Sequence, residues 1–189
     1  ESIEKLADGC PAIIVIDEAY AEFGENAICP KAVKKENILV VRTFSKAFGS
    51  AGLRFGYFAA CEELATALAK VFPYTVNTLT SRFVIKLLEK FEIVKGWIDK
   101  IIRERKRLIE KLRSLNGIEV FDSKTNFVTF KLNRDTDKIH KELLNRKVAI
   151  KNLGELPVIG HCLRVTVGLP YMNNVFLEAL AQIMQADNP

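Results

Sequence analysis

Histidine is scarce in this chain, with two residues in 189, and the four cysteines, Cys10, Cys29, Cys61 and Cys162, are far apart. No C-x-x-C pair and no histidine cluster accompanies them, so neither a zinc site nor a disulfide framework is favoured. The cysteines are expected to be reduced, and no metal is expected. No run approaches the roughly 18 uninterrupted apolar residues of a membrane span. The opening ESIEKLADG carries acids and no apolar core, so it does not read as a signal peptide. A cytoplasmic protein without a membrane partner is the expectation.

What is abundant points to a folded chain: 49% of the residues are hydrophobic and 27% charged, the balance of a globular protein. The formal net charge of +5 raises the question of nucleic acid. Much of the surplus lies in KGWIDKIIRERKRLIEKLRSL, where Trp97, Ile98, Ile101, Ile102, Leu108, Ile109 and Leu112 recur at helical spacing. This is an amphipathic helix with a basic solvated face, on which Glu110, three before Arg113, pairs part of the charge. Without aromatic interleaving or a recognition motif, no nucleic-acid partner is expected.

Ala12 to Ile16 is a continuous apolar run suited to the centre of a parallel sheet, Ile38 to Val41 a second strand, and Leu53 to Ala60 a third. EELATALAKVF reads as a helix stopping before Pro73, and TSRFVIKLLEKF as another. Beyond Asn116-Gly117 the character changes. IEVF, NFVTFKL, VAIKNL and CLRVTV are short strand candidates, with helices over DTDKIHKELLNRK and NNVFLEALAQIMQ. The fold class is therefore α/β, with a large unit over 1–93, a connecting helix over 94–116 and a small α+β unit over 117–189.

Ligands of α/β sheets bind beyond the carboxyl ends of the strands. The first strand runs into Asp17-Glu18-Ala19-Tyr20 and the second into Arg42-Thr43-Phe44-Ser45-Lys46. Singly, Asp17 is a turn residue, Lys46 a solvated loop lysine, Arg54 an ion-pair residue and Tyr20 a core aromatic with a wet hydroxyl. Together they suit one cofactor. A lysine amine can bond to an aldehyde, and pyridoxal phosphate (PLP) uses such a lysine with an acid at its ring nitrogen. A phenol can bond the ring oxygen, and a hydroxyl with an arginine fork suits the phosphate.

VIDEAYAEF, RTFSKAFGSAGLRFGY, PYTVN and CLRVTVG, in that order, resemble the fold-type-I PLP-dependent aminotransferases, and among them the histidinol-phosphate aminotransferase family. The resemblance covers essentially the whole chain, and S-K-x-F-G-x-A-G-x-R-x-G-Y is its most specific segment. It implies a mixed, mostly parallel large domain followed by a small α+β domain. It makes Lys46 the Schiff-base lysine and proton shuttle, Asp17 the partner of the pyridine nitrogen, and Tyr20 the donor to the ring oxygen. Ser45 and Arg54 become phosphate ligands, and Arg164 the grip on the substrate's acidic group. Lys151 departs from the arginine many relatives carry there, keeping the charge and losing the fork.

The resemblance also implies a homodimer, an amino-acid or amino-phosphate substrate, and transfer between glutamate and imidazole-acetol phosphate. Another aminotransferase or a threonine-phosphate decarboxylase would share these cofactor residues, and a non-catalytic dimerisation or regulatory domain could retain the fold. Relatives are about twice as long. The chain is thus expected to be a carboxy-terminal fragment whose pocket lacks the phosphate loop and stacked ring of an amino-terminal half, and which alone binds PLP weakly or not at all.

Overall fold

The computed structural model describes residues 2–24, 30, 34–71 and 76–186. Cys29 and the first three residues of PYTVN lie outside them. The chain divides into two compact units, Glu1–Gly96 and Trp97–Pro189, the boundary falling inside one continuous helix.

The first unit begins with helix α1, Ser2–Gly9, which the sequence reading did not anticipate. Strand β1 spans Ile14–Asp17, β2 Ile38–Thr43 and β3 Gly56–Ala59. They form a mixed sheet in the order β1-β2-β3, with β1 parallel and β3 antiparallel to β2. Ala7 of α1 packs on Ile38 and Val40, with Ile3, Ile14 and Ile16 around them. Helices α2 (Glu62–Ala69) and α3 (Thr78–Glu89) follow, the latter capped by Asn77, whose side chain accepts from the Thr80 amide at 2.9 Å.

Two expectations for this unit are corrected. The apolar run at Ala12 to Ile16 does not sit at the centre of the described sheet: β1 is its edge, and Val15 is 60% exposed. An apolar run reports a strand that can be buried on both faces, but not what covers those faces. The third strand starts at Gly56 rather than Leu53, because Ala51–Leu53 form a 3-10 turn that ends on Arg54 in the left-handed region, at φ 52°.

Helix α4, Phe91–Arg113, is the amphipathic helix of the basic segment. Leu108 and Leu112 are buried, but Trp97 is exposed, with the Lys100 ammonium 4.0 Å from its ring centroid. Arg113 donates to Asp122 at 2.8 Å rather than forming the expected link to Glu110. An exposed pair of either kind contributes little.

In the second unit, β4 (Ile118–Val120), β5 (Phe127–Leu132), β6 (Lys151–Leu156) and β7 (Gly160–Thr166) form an antiparallel sheet ordered β4-β5-β7-β6. Helices α5 (Thr136–Asn145) and α6 (Pro170–Ala186) complete it. Burial alternates along β5, so Val128, Phe130 and Leu132 face one core. Leu108 and Leu112 of α4, Leu143 of α5 and Phe176 and Leu180 of α6 close that core. Among the described residues no helix is long and apolar enough to cross a membrane.

Candidate active site

The parallel register of β1 and β2 pairs Asp17 with Val41, so the segments after the two strands leave the sheet side by side. The Glu18 amide donates to the Val41 carbonyl at 2.9 Å, holding the exits together. Asp17 turns the chain: its carboxylate accepts from the Ala19 amide at 2.8 Å. That turn brings Tyr20 under the loop after β2, where the Lys46 ammonium lies 5.4 Å from the Tyr20 ring centroid.

Lys46 sits at the tip of a tight turn. The Gly49 amide donates to the Lys46 carbonyl at 3.1 Å and the Ser50 amide to the Phe44 carbonyl at 3.0 Å. Gly49 takes φ +62°, a backbone state that favours glycine, so the turn needs that residue. Below it, Phe44 is buried against Phe48 and Phe55, at centroid distances of 4.4 and 5.1 Å. The apolar residue before Ser45 anchors the loop, and the amine at its tip remains exposed. The Ser45 amide donates to the Thr43 hydroxyl at 3.0 Å.

Arg54 is exposed and donates to the Ala51 carbonyl at 3.2 Å. The Phe44 amide donates to the Phe55 carbonyl at 3.1 Å, which ties the arginine's segment to the lysine's loop. Asp17, Tyr20, Ser45, Lys46 and Arg54 therefore occupy one end of the first unit's sheet and the loops that leave it.

Arg164 lies in the second unit, on β7, with its guanidinium carbon 4.7 Å from the Phe127 ring centroid. Its cross-strand partner in the register is Lys151. Two cations directly opposite on neighbouring strands repel. Both line a cavity of about 560 Å³ together with Lys147, Tyr171 and Met172.

Sequence reasoning missed two polar networks. Arg42 donates through Nε and Nη2 to one oxygen of the buried Glu18, at 2.9 and 2.7 Å, on the turn between Asp17 and Tyr20. Burial pulls the Arg42 guanidinium down, but hydrogen bonds and charge from Glu18 and Tyr57 outweigh it, and its value is raised. In the second unit Asn173, 2% exposed, donates to Glu104 at 2.9 Å and to the Gly168 carbonyl at 3.0 Å, and accepts from the Gly168 amide at 3.0 Å. The hydrogen bond from Arg107 and that from Asn173 outweigh burial and hold the Glu104 carboxyl below its ordinary value. The signal for the first network was an arginine inside the apolar β2 run; the asparagine had none.

Comparison with known proteins identifies the family. The model of the family "Aminotransferase class I and II" matches residues 1–181. A histidinol-phosphate aminotransferase of Thermoanaerobacter sp. (strain X514) is 37% identical over 185 residues, covering 97% of this chain and 52% of the relative. The solved histidinol-phosphate aminotransferase of Clostridium acetobutylicum superposes with a TM-score of 0.88 at 26% identity, covering 98% of this chain and 58% of that one. L-threonine-O-3-phosphate decarboxylase of Porphyromonas gingivalis gives 0.81 at 28% identity, covering 97% and 58%. The chain spans about half the length of the curated relatives it matches. With the family model matching from the first strand to the last helix, the chain belongs to the class I and II aminotransferases.

Proposed function

We propose that this chain carries the lysine-bearing part of a PLP-dependent aminotransferase that acts on histidinol phosphate with 2-oxoglutarate and glutamate, in histidine biosynthesis. One observation carries the reading: an exposed lysine on a hydrogen-bonded turn has its ammonium 5.4 Å from the ring centroid of a tyrosine three residues after the aspartate that ends the neighbouring parallel strand. This donor set fits PLP. Bound there, the cofactor supplies an aldehyde carbon for the lysine and a ring that accepts electron density from the substrate.

The residues then divide the work. Lys46 would hold the cofactor through its amine, and that amine would move a proton at the substrate carbon. Asp17 would pair with the ring nitrogen, Tyr20 would donate to the ring oxygen, and Ser45 with Arg54 would hold the phosphate. Arg164 takes the acidic group of either substrate, a carboxylate or a phosphate. An anion beside Arg164 and Lys151 also relieves the repulsion of two cations in register. The rest of the pocket is supplied by polypeptide corresponding to the half of the relatives that this chain does not match. On the family resemblance, the assembled enzyme is a homodimer.

A second reading keeps the cofactor residues and changes the product: the likeness to L-threonine-O-3-phosphate decarboxylase is structural as well as sequential, and its substrate also carries a phosphate. The chain, assembled with the unmatched half of the Thermoanaerobacter relative, is assayed with histidinol phosphate, phenylalanine or threonine phosphate and with 2-oxoglutarate as acceptor. Glutamate formation fastest from histidinol phosphate supports the proposal. Amine release from threonine phosphate without glutamate overturns it in favour of the decarboxylase.

A further inference from the structure

Arg105 occupies a place in α4 that packing alone would give to an apolar residue. It continues the core-facing stripe of Ile98, Ile101, Leu108 and Leu112, at helical spacing, and is only 6% exposed. Burial pulls its guanidinium below the ordinary arginine value, and a buried cation is costly unless it is hydrogen-bonded. The contact that this arginine makes is with backbone: Nη1 donates to the Thr125 carbonyl at 2.7 Å.

Thr125 lies in the loop that leads into β5, and that loop is bonded around Phe127. The Ser123 and Thr125 hydroxyls donate to the Phe127 carbonyl at 2.5 and 3.1 Å, and the Phe127 amide donates to the Thr125 hydroxyl at 3.2 Å. One residue earlier, the Asn126 carbonyl accepts from the Val167 amide at 2.9 Å, which closes the loop on the end of β7. The Phe127 ring in turn lies 4.7 Å from the Arg164 guanidinium carbon, on the sheet face away from the core. A contact of this kind orients a guanidinium as well as attracting it. Glu104, the neighbour of Arg105 on α4, braces the far side of the same strand ends through Asn173 and Gly168.

We propose that Arg105 is a positioning residue: from the core side of the sheet it fixes the loop that sets Phe127, and Phe127 sets the Arg164 guanidinium for the acidic group of the substrate. Arg105 itself touches neither substrate nor cofactor. The substrate part of this proposal rests on the aminotransferase reading; the link from Arg105 through Thr125 and Phe127 to Arg164 does not.

The test reads the position of Arg164 directly. In the 189-residue chain the side-chain protons of Arg164 lie in the ring current of Phe127, so their magnetic resonance shifts report the contact. Arg105→Met and, separately, Ser123→Ala are expected to return those shifts toward the values of an arginine without a ring beside it. Arg105→Lys should do so only in part, and Lys124→Ala, exposed in the same loop, should leave them unchanged. Ser123 is half-buried in a loop, so its variant folds even if the Arg105 variant does not. In the chain assembled with the unmatched half of the Thermoanaerobacter relative, Arg105→Met and Ser123→Ala should each raise KM for glutamate about tenfold with kcat unchanged, the signature of lost binding rather than lost chemistry. Arg164 resonances that stay in place in both variants, or a fall in kcat with KM unchanged, overturn the proposal. If Arg164→Ala itself leaves KM for glutamate unchanged while the resonances move as expected, the substrate reading fails and the link from Arg105 stands.

Discussion

The second unit closes on itself: strands β5 and β7 turn alternate residues onto α4, α5 and α6, and the resulting core includes wholly buried Val128, Phe130, Leu143, Leu163 and Leu180. The first unit, with a similar share of the chain, gathers only Ala7, Ile38 and Val40 into one buried cluster, besides buried Phe23, Phe44 and Val84, and leaves Ile13, Val15, Val41, Leu79, Phe83 and Ile85 exposed. Large apolar side chains exposed together mark surfaces that take a partner. The difference teaches that the second unit puts its large apolar side chains into a core of its own, whereas the first leaves many of them at its surface. One holds Arg164 on a sheet that packs on a core of its own, whereas the other carries the Lys46 turn on a sheet whose described edge is β1.

The sharpest way to break this contrast is one chemical change made in both units. Leu180→Ala is expected to cost about 2–5 kcal/mol through transfer and cavity terms, and to speed amide hydrogen exchange across the second unit. Leu79→Ala, at an exposed side chain, should stay within about 0.5 kcal/mol. Equal effects would mean that the first unit is packed as tightly as the second.

Next in size is Glu18→Ala. It leaves Arg42 without its main partner, and removing one member of a buried pair costs roughly 3 kcal/mol. The loss should appear in hydrogen exchange of the first unit alone, and spread through the Asp17 to Tyr20 turn. Asn173→Ala removes two hydrogen bonds with Gly168 and one to Glu104 and should cost about 2 kcal/mol, confined to the second unit.

The smallest effect depends on pH. The Glu104 carboxyl lies below its ordinary 4.5 in the folded chain. Its contribution to stability is then fully present above that ordinary value and lost as pH falls through the lowered one. Urea unfolding of the second unit should show that acid loss, and Glu104→Gln should flatten it.

The elements that were legible in the sequence are those whose periodicity has one interpretation. The alternation in β5 and the helical spacing from Trp97 to Leu112 both specify a buried face, and the structure forms both elements. Strand β6 was shifted: VAIKNL suggested 148 to 153, but the strand runs Lys151–Leu156, through a register shift between Asn152 and Gly154. A bulge of this kind follows from pairing with β7, and local composition does not show it. Lys46, Asp17 and Tyr20 were singled out by their chemistry rather than by packing, and the structure sets the Lys46 ammonium 5.4 Å from the Tyr20 ring centroid. Glu22 was not, since only the folded chain reveals a buried carboxylate oxygen without a hydrogen-bond partner.

The most direct test of the account is to mix the chain, assembled with the unmatched half of the Thermoanaerobacter relative, with PLP, reduce with borohydride and map the adduct by mass spectrometry. A single label on Lys46, abolished by Lys46→Ala, is the predicted result. Label on another lysine, or spread over the exposed lysines alike, would contradict it.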